Sequence, residues 1–369
     1  MDMKKAFFTL SLIFSISIAF GQYQFTMISD CHCTPVTSQD RTGTCWSFAT
    51  SSFLEAELIR MGKRDIDLSE MYFVRKNYED KALNYYLRQG KAQFGQGGLA
   101  HDVINAFAAA GAVPQEVYNG LLPGENRYDH SEMESMLKAI VETALKSKST
   151  SEKWMNAYRA VTDNYMGSVP ENFNYKGKTY TPKTFAASLG IDPGDYVSFT
   201  SYTHHPFYSS FVLEIPDNWS NGSFINVPIE DLVAIAENAV ENGYSVAWDG
   251  DVSEKTFSAR KGIAVLPAKD RGEEVWEKPG EEVSATQELR QQTFESFSTT
   301  DDHLMHITGV AKDQNGTHYF YIKNSWGEIS PYDGYLYMSE PYFRLKTVSI
   351  MVHKDAVPEN VKKKLGWNL

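Results

Sequence analysis

The chain has 369 residues, of which 42% are apolar and 13% aromatic, enough for a large core in one to three domains and too many for a disordered chain. A formal net charge of −12 argues against nucleic acid or an anionic membrane as partner, since both reward clustered Lys and Arg. Three cysteines exclude a fold resting on a disulfide framework.

Residues 1–21 read as a secretory signal peptide. Lys4 and Lys5 precede the apolar run from Ala6 to Phe20, and Ala19-Phe20-Gly21 puts small residues one and three places before a cut. The run is short for a bilayer span, and no other stretch is apolar enough to cross. The expectation is an exported protein, periplasmic or extracellular, with no stable membrane anchor. Cys31 and Cys33 are separated by one residue and would pair with each other only under strain. Cys31-His32-Cys33 lacks a second Cys/His cluster to complete four ligands, so no metal is expected there.

After the extended Thr34-Pro35-Val36-Thr37, apolar residues at Trp46, Ala49, Phe53, Ala56 and Ile59 predict a helix with one buried face, running from Cys45 to about Arg60. Leu68-Ser69-Glu70 opens a second, serine-capped helix. Phe94-Gly95-Gln96-Gly97-Gly98 is a glycine-rich turn, followed by a helix from about Ala100 to Ala110 that stops at Gly111. The stripe Met133, Met136, Leu137, Ile140, Val141, Ala144 and Leu145 predicts another helix whose apolar side chains are packing surface. Residues 146–153 form a turn, and a further helix spans about Met155 to Tyr165. Beyond Val240 the pattern becomes strand-like, at Val246-Ala247-Trp248 and at residues 305–310, 318–323 and 334–338. Asn315-Gly316 marks the hairpin between two of these strands. Helices early and antiparallel strands late make an α+β chain.

The densest chemistry is Gln39-Asp40-Arg41-Thr42-Gly43-Thr44-Cys45-Trp46-Ser47-Phe48. A thiol at a helix N-terminus meets the positive end of the dipole, which favours thiolate. A glutamine amide six residues upstream can donate to an oxyanion forming beside that sulfur. A cysteine nucleophile also needs a base, and a group to orient that base. His303 and His306 open the best late strand three residues apart, so they point to opposite faces. Asn324-Ser325-Trp326-Gly327 ends the next strand, where Asn324 can hold an imidazole and Trp326 can shield the bond from water. Asp302, beside His303, is expected to be solvated.

Taken in order, Gln39, Cys45-Trp46-Ser47-Phe48, Gly97-Gly98, a histidine strand and Asn324-Ser325-Trp326-Gly327 resemble the papain-like cysteine peptidases. In that family the histidine is followed six residues later by glycine. His303 with Gly309 fits and His306 does not, so the resemblance assigns His303 as base and leaves His306 to pack or hydrogen-bond behind the strand. The resemblance implies catalytic Cys45, His303, Asn324 and Gln39, with the backbone of Gly97 and Gly98 pairing an extended peptide substrate and Trp326 in support. It implies no metal and no cofactor.

His303 lies much farther from Cys45 than the roughly 130–150 residues of the papain and cathepsin group. The short run from Gly21 to Cys45 also has no place for a cathepsin-type prodomain. Both departures are similar to the bleomycin hydrolase and aminopeptidase C branch. So are Thr34-Pro35-Val36-Thr37-Ser38-Gln39, Gly167-x-x-Pro170-Glu171-x-Phe173 and Val357-Pro358-Glu359-Asn360-Val361. That branch implies an aminopeptidase whose C-terminal tail lies in the cleft, and a homo-oligomer, often a hexamer. Here the tail Lys362-Lys363-Lys364-Leu365-Gly366-Trp367-Asn368-Leu369 is short. An endopeptidase with an open cleft and a catalytically silent binding protein of the same fold are the alternatives. The expected division is a signal peptide at 1–21, a helical papain-like subdomain at 22–111, a largely helical insertion at 112–235, and a β subdomain of antiparallel, barrel-like character at 236–369.

Overall fold

The computed structural model describes residues 22–148 and 151–367; the signal segment expected at 1–21 and the last residues of the tail lie outside the described residues. In chain order the elements are β1 (Thr26–Asp30), α1 (Cys45–Arg60), α2 (Glu70–Leu87), α3 (Ala100–Ala110), α4 (Ser131–Lys146), α5 (Lys153–Met166), β2 (Phe173–Tyr175), β3 (Lys178–Tyr180), α6 (Pro182–Leu189), β4 (Tyr196–Thr200), β5 (Ser210–Val212) and β6 (Ser223–Asn226). They continue with α7 (Ile229–Glu241), β7 (Val246–Gly250), β8 (Phe257–Ser258), β9 (Ile263–Ala264), α8 (Gln287–Glu295), β10 (His303–Lys312), β11 (His318–Lys323), β12 (Tyr335–Ser339), α9 (Glu340–Lys346), β13 (Thr347–His353) and α10 (Glu359–Lys364). The architecture is α+β.

One sheet carries the order β5-β6-β4-β13-β7-β10-β11-β12-β9-β8, with β1 also paired to β10. Its axis is β10. Residues 303–307 of β10 pair with β7 and 309–312 with β1, while β11 runs along the other side. The β10–β11 hairpin closes as the Asn-Gly signal predicts. Asp313 Oδ1 accepts the amides of Asn315 (2.8 Å) and Thr317 (2.9 Å). Gly316 sits at φ +86°, a conformation that a side chain would strain.

The sheet separates two cores. Leu304, Ala247, Val348 and Met351 face the helical layer of α1, α2 and α3. Met305, Ile307, Trp248, Ile350 and Val352 face α7, α9 and α10. Helix α1 lies between the other helices and the sheet, so it is buried all round from Cys45 to Leu58 and not on one stripe as its spacing predicts. Its small polar residues Ser47, Thr50, Ser51 and Ser52 permit that close approach.

Two further differences from the sequence reading concern the sheet. The span 112–235 contains α4, α5 and α6, but strands β4, β5 and β6 within it join the large sheet through β13. Strand β13 itself has no signal in the sequence reading. It is buried on both faces, so the residues between Val348, Ile350 and Val352 are covered as well and no exposed polar face marks it as a strand.

The tail is anchored on the second core. Val361 is fully buried there, Lys364 Nζ bonds both carboxylate oxygens of Asp231 on α7 (2.9 and 3.0 Å), and the Trp367 ring leans on Phe199. Through Trp367 the chain therefore stays on the sheet face turned away from α1.

Candidate active site

Cys45 is the first residue of α1. The segment leading into it is fixed by pairing with the far end of the chain. Gln39 N donates to Ser325 O (2.9 Å) and Gly327 N to Thr37 O (3.2 Å). Those two bonds bring the glutamine and the Asn324-Ser325-Trp326 turn together, although they are far apart in sequence.

Gln39 is buried. Its Oε1 accepts the Ser325 hydroxyl at 2.7 Å, which orients the amide, and its Nε2 donates to Thr42 O at 2.6 Å. One N–H of that nitrogen is so used, and the other is left for a ligand.

His303 begins β10. Its Nε2 lies 2.9 Å from Asn324 Oδ1, and the Ser325 amide also points at that oxygen, at 2.7 Å. An oxygen that accepts a backbone N–H is an acceptor, so Nε2 carries the proton and Nδ1 keeps the lone pair in the neutral ring. The Trp326 ring stacks on the imidazole with centroids 4.5 Å apart, covering the His303–Asn324 bond. The backbone N–H of Leu304, the next residue, faces the Cys45 thiol.

The electrostatics differ from the expectation of a preformed thiolate. Burial pushes the Cys45 thiol up to about 12; the Leu304 N–H opposes this, and the charges of Asp301, Asp217 and Asp249 add to it. Burial also lowers His303 to about 4, against the pull of Asn324. Burial, with the three carboxyl groups adding to it at the thiol, thus outweighs the helix dipole, and both groups are held neutral.

His306 points to the opposite face from His303, as strand alternation requires. It faces α1, and its Nδ1 meets Ser52 Oγ at 2.9 Å. Ser52 is seven residues along α1 from Cys45, about 10 Å at 1.5 Å per residue. Lys323 Nζ donates to the same hydroxyl at 2.8 Å, so His306 belongs to a buried polar cluster beneath the site. Asp302 is exposed, as expected.

The Gly97-Gly98 turn lies against the N-terminal end of α1. Trp46 Nε1 donates to Gln96 O at 2.9 Å, and Lys81 Nζ holds the carbonyls of Gly95 (2.9 Å) and Gly97. A side chain on Gly98 would press on the Trp46 ring, with its Cβ 3.1 Å away. A Cβ on Gly97 would overlap Asp217 Oδ2, so this carboxylate occupies the space above the turn.

Sequence reasoning missed Asp217, Asp249 and Asp301. Asp249 is the register partner of Leu304 across β7 and β10, a relation that exists only once the sheet forms. All three cysteines are free; Cys31 Sγ bonds Tyr244 O and Cys33 Sγ lies 2.9 Å from the Tyr335 hydroxyl. Among the described residues, His204, His205 and Glu214, and separately Glu237, His318 and Glu340, stand close enough to share an ion; neither group includes Cys45 or His303.

A family model described as Peptidase C1-like matches residues 74–368. Cysteine proteinase 1, mitochondrial, of Saccharomyces cerevisiae is 24% identical over 92% of this chain and 79% of its own length. Aminopeptidase C of Lactobacillus helveticus is 23% identical over 88% of this chain and 80% of its own. The crystal structure of pepw from Lactobacillus rhamnosis superposes with a TM-score of 0.74 at 18% identity, covering 92% of this chain and 84% of that one.

Proposed function

This chain belongs to the Peptidase C1-like family, as a papain-like cysteine peptidase of the bleomycin hydrolase and aminopeptidase C branch, and from that premise we propose an exported aminopeptidase that works through Cys45, His303, Asn324 and Gln39. The observation that carries the assignment is the His303 Nε2–Asn324 Oδ1 bond under Trp326, with Leu304 N–H turned to the Cys45 sulfur.

The chemistry follows from those contacts. With Nε2–H committed to Asn324, the Nδ1 lone pair of His303 takes the thiol proton as sulfur attacks the peptide carbonyl. The C–S bond forms and the carbonyl electrons move to oxygen. The free N–H of Gln39 and the backbone N–H of Cys45 stabilise that oxyanion. The C–N bond then breaks, and Nδ1 returns its proton to the departing amine. Water, deprotonated by His303, attacks the thioester and releases the acid together with the thiol. Asn324 keeps the imidazole in the right tautomer throughout.

Export rests on Lys4, Lys5 and the apolar run to Phe20. Hexamer formation rests on resemblance alone, and the mass of the purified protein in solution tests it. An endopeptidase is the second reading, favoured by the seating of Trp367 on the far face of the sheet.

Cys45→Ala should abolish peptide hydrolysis and selective labelling by an epoxide-type thiol inhibitor. Retained hydrolysis in the purified variant would sink the assignment. Fluorogenic amino-acid amides with free and acetylated amines separate aminopeptidase from endopeptidase.

A further inference from the structure

The chain between β5 and β6, residues 213–222, lies on the Gly97-Gly98 turn. Gly97 does not stand in the left-handed region, so its backbone does not call for a glycine on conformational grounds. What it calls for is room, and Asp217 takes that room, since a Cβ on Gly97 would overlap its carboxylate. The resemblance leaves the same edge to the backbone of an extended substrate.

The loop is held there from several sides. Ser220 Oγ donates to Asp102 Oδ1 of α3 at 2.7 Å and meets His101 Nε2 at 2.8 Å. Asn84 of α2 donates to Trp219 O at 3.1 Å, and Lys81 Nζ stands 5.5 Å from the centroid of the Trp219 ring. Lys81 also bonds the carbonyls of Gly95 and Gly97, so one side chain ties the turn to the loop above it. Gln93 bonds Asp217 from the same side. Inside the loop, buried Asn218 donates to Leu213 O and Gly222 O, both at 2.9 Å, and accepts from Gly222 N at 2.7 Å. Segments that open readily have few buried contacts. This one is pinned to two helices and braced across its base, with Leu213 and Trp219 buried, and so forms a fixed wall.

The place of this wall decides what it meets. In the proposed chemistry His303 protonates the departing amine, so the C-terminal part of the substrate leaves on the β10 side of Cys45. The acyl part, with every residue before the scissile bond, lies across from it, along the turn that Trp46 holds against the start of α1. We propose that the 213–222 loop, through Asp217 on Gly97, caps the acyl side of the cleft and limits the residues that can precede the scissile bond. This deepens the aminopeptidase reading and rests on the substrate direction which that reading assumes. The block is one of bulk, because Asp217 fills the space whether or not it is charged. The loop thereby does what the resemblance gives to the C-terminal tail, which here is seated through Trp367 on the far face of the sheet. The endopeptidase reading needs this side open.

The test measures kcat/KM for aminomethylcoumarin amides of Leu, Ala-Leu, Ala-Ala-Leu and Ala-Ala-Ala-Leu in wild type, Asp217→Ala, Asp217→Asn and Trp219→Ala. In wild type the value should fall at least about tenfold at the first extension that reaches the loop and stay low beyond it. Asp217→Ala removes the bulk and Trp219→Ala loosens the loop, so each should raise the ratio of the longest substrate to the shortest at least about fivefold. Asp217→Asn keeps the bulk and should leave that ratio near wild type. Equal use of all four substrates by wild type overturns the cap. So does an Asp217→Asn ratio as high as that of Asp217→Ala, which would assign the effect to charge. Uniform changes across the series in both Ala variants would make the loop part of the fold alone, and overturn it as well. N-acetyl-leucine aminomethylcoumarin separates the two readings. Its hydrolysis as fast as the free amine, with the longest substrate still refused, would end the aminopeptidase reading and keep the cap. Protection of Cys45 from iodoacetamide by the matching peptide carboxamides ranks the same series without turnover. Only the short ones should protect wild type and all should protect Asp217→Ala; protection of wild type by the longest one overturns the cap.

Discussion

Asn324 Oδ1 accepts two hydrogen bonds at once, from His303 Nε2 at 2.9 Å and from the Ser325 amide at 2.7 Å. The second fixes the side-chain amide independently of the histidine, so the ring is received by an acceptor already in place. Trp326 then closes over the pair. Such a bond selects a tautomer more than it supplies binding energy, and its loss should appear in the rate and not in substrate affinity.

Asn324→Ala is accordingly expected to lower kcat by about 10²-fold, toward the low end of what positioned acid–base catalysis contributes, with KM changed little. Asn324→Gln moves the acceptor by a methylene and should recover little. Steady-state kinetics on one fluorogenic peptide checks both, with a melting curve to show that the fold survives. An equal loss in KM alone would mean that Asn324 serves binding and leaves the histidine unaffected.

Gln39 differs, because the role proposed for it is to meet charge that appears only during reaction. Its Oε1 is tied to Ser325 and one N–H to Thr42, so the remaining N–H is held in place before substrate arrives. Gln39→Ala should reduce kcat by about 10²–10³-fold, the effect of removing one oxyanion donor. Alkylation of Cys45 by iodoacetamide, which passes through no oxyanion, should be nearly unchanged. A parallel loss of alkylation would show that Gln39 merely supports the Cys45 loop.

Glu70 offers a stability measurement independent of catalysis. It is 4% exposed, its Oε2 has no donor among the described residues, and burial, with the charge of Glu55 next, raises its carboxyl to about 8. An exposed glutamate titrates near pH 4.3. The folded protein therefore keeps a proton that the unfolded chain releases. That contribution is complete at low pH and is lost as pH rises through about 8. Glu70→Gln carries no such proton, so its melting temperature relative to wild type should be near zero or slightly negative at pH 5 and higher by a few degrees at pH 9. A difference independent of pH would contradict the buried, protonated state.

The parts of the site readable in the sequence are those whose chemistry is local. Cys45 at a helix start, Gln39 six residues earlier and the Asn324-Ser325-Trp326 turn each announce themselves over a few residues. The choice between His303 and His306 follows from family spacing, and the strand's alternation agrees in sending the two rings to opposite faces. Asp249 had no such signal, because its meaning comes from standing opposite Leu304 once β7 and β10 pair. Asp217 is further still from any motif. It matters because the loop carrying it folds back over Gly97. The same reason hides β13, whose residues divide between two cores and leave no exposed face. The thiol's electrostatics are hidden for the same reason. The helix dipole is visible in a sequence, whereas the burial that chiefly raises the thiol, and the carboxyl groups that add to it, exist only in the tertiary structure.

The tail separates this chain's geometry from what its resemblance implies. Lys364 bonds Asp231 on α7 and Trp367 leans on Phe199 of β4, both on the sheet face away from α1. Truncation after Val361 removes these contacts and leaves Cys45, His303, Asn324 and Gln39 intact. The partly exposed Lys364–Asp231 pair contributes little, whereas Trp367 covers apolar surface, so a loss of about 1–2 kcal/mol in stability is expected. The ratio of activity on free-amine and acetylated substrates should stay within about twofold of wild type, a change well under 1 kcal/mol, since the chain through Trp367 lies on the sheet face away from α1. A truncated protein that gains strong activity on acetylated or internal peptide bonds would show that the final residues restrict the cleft, as the resemblance implies.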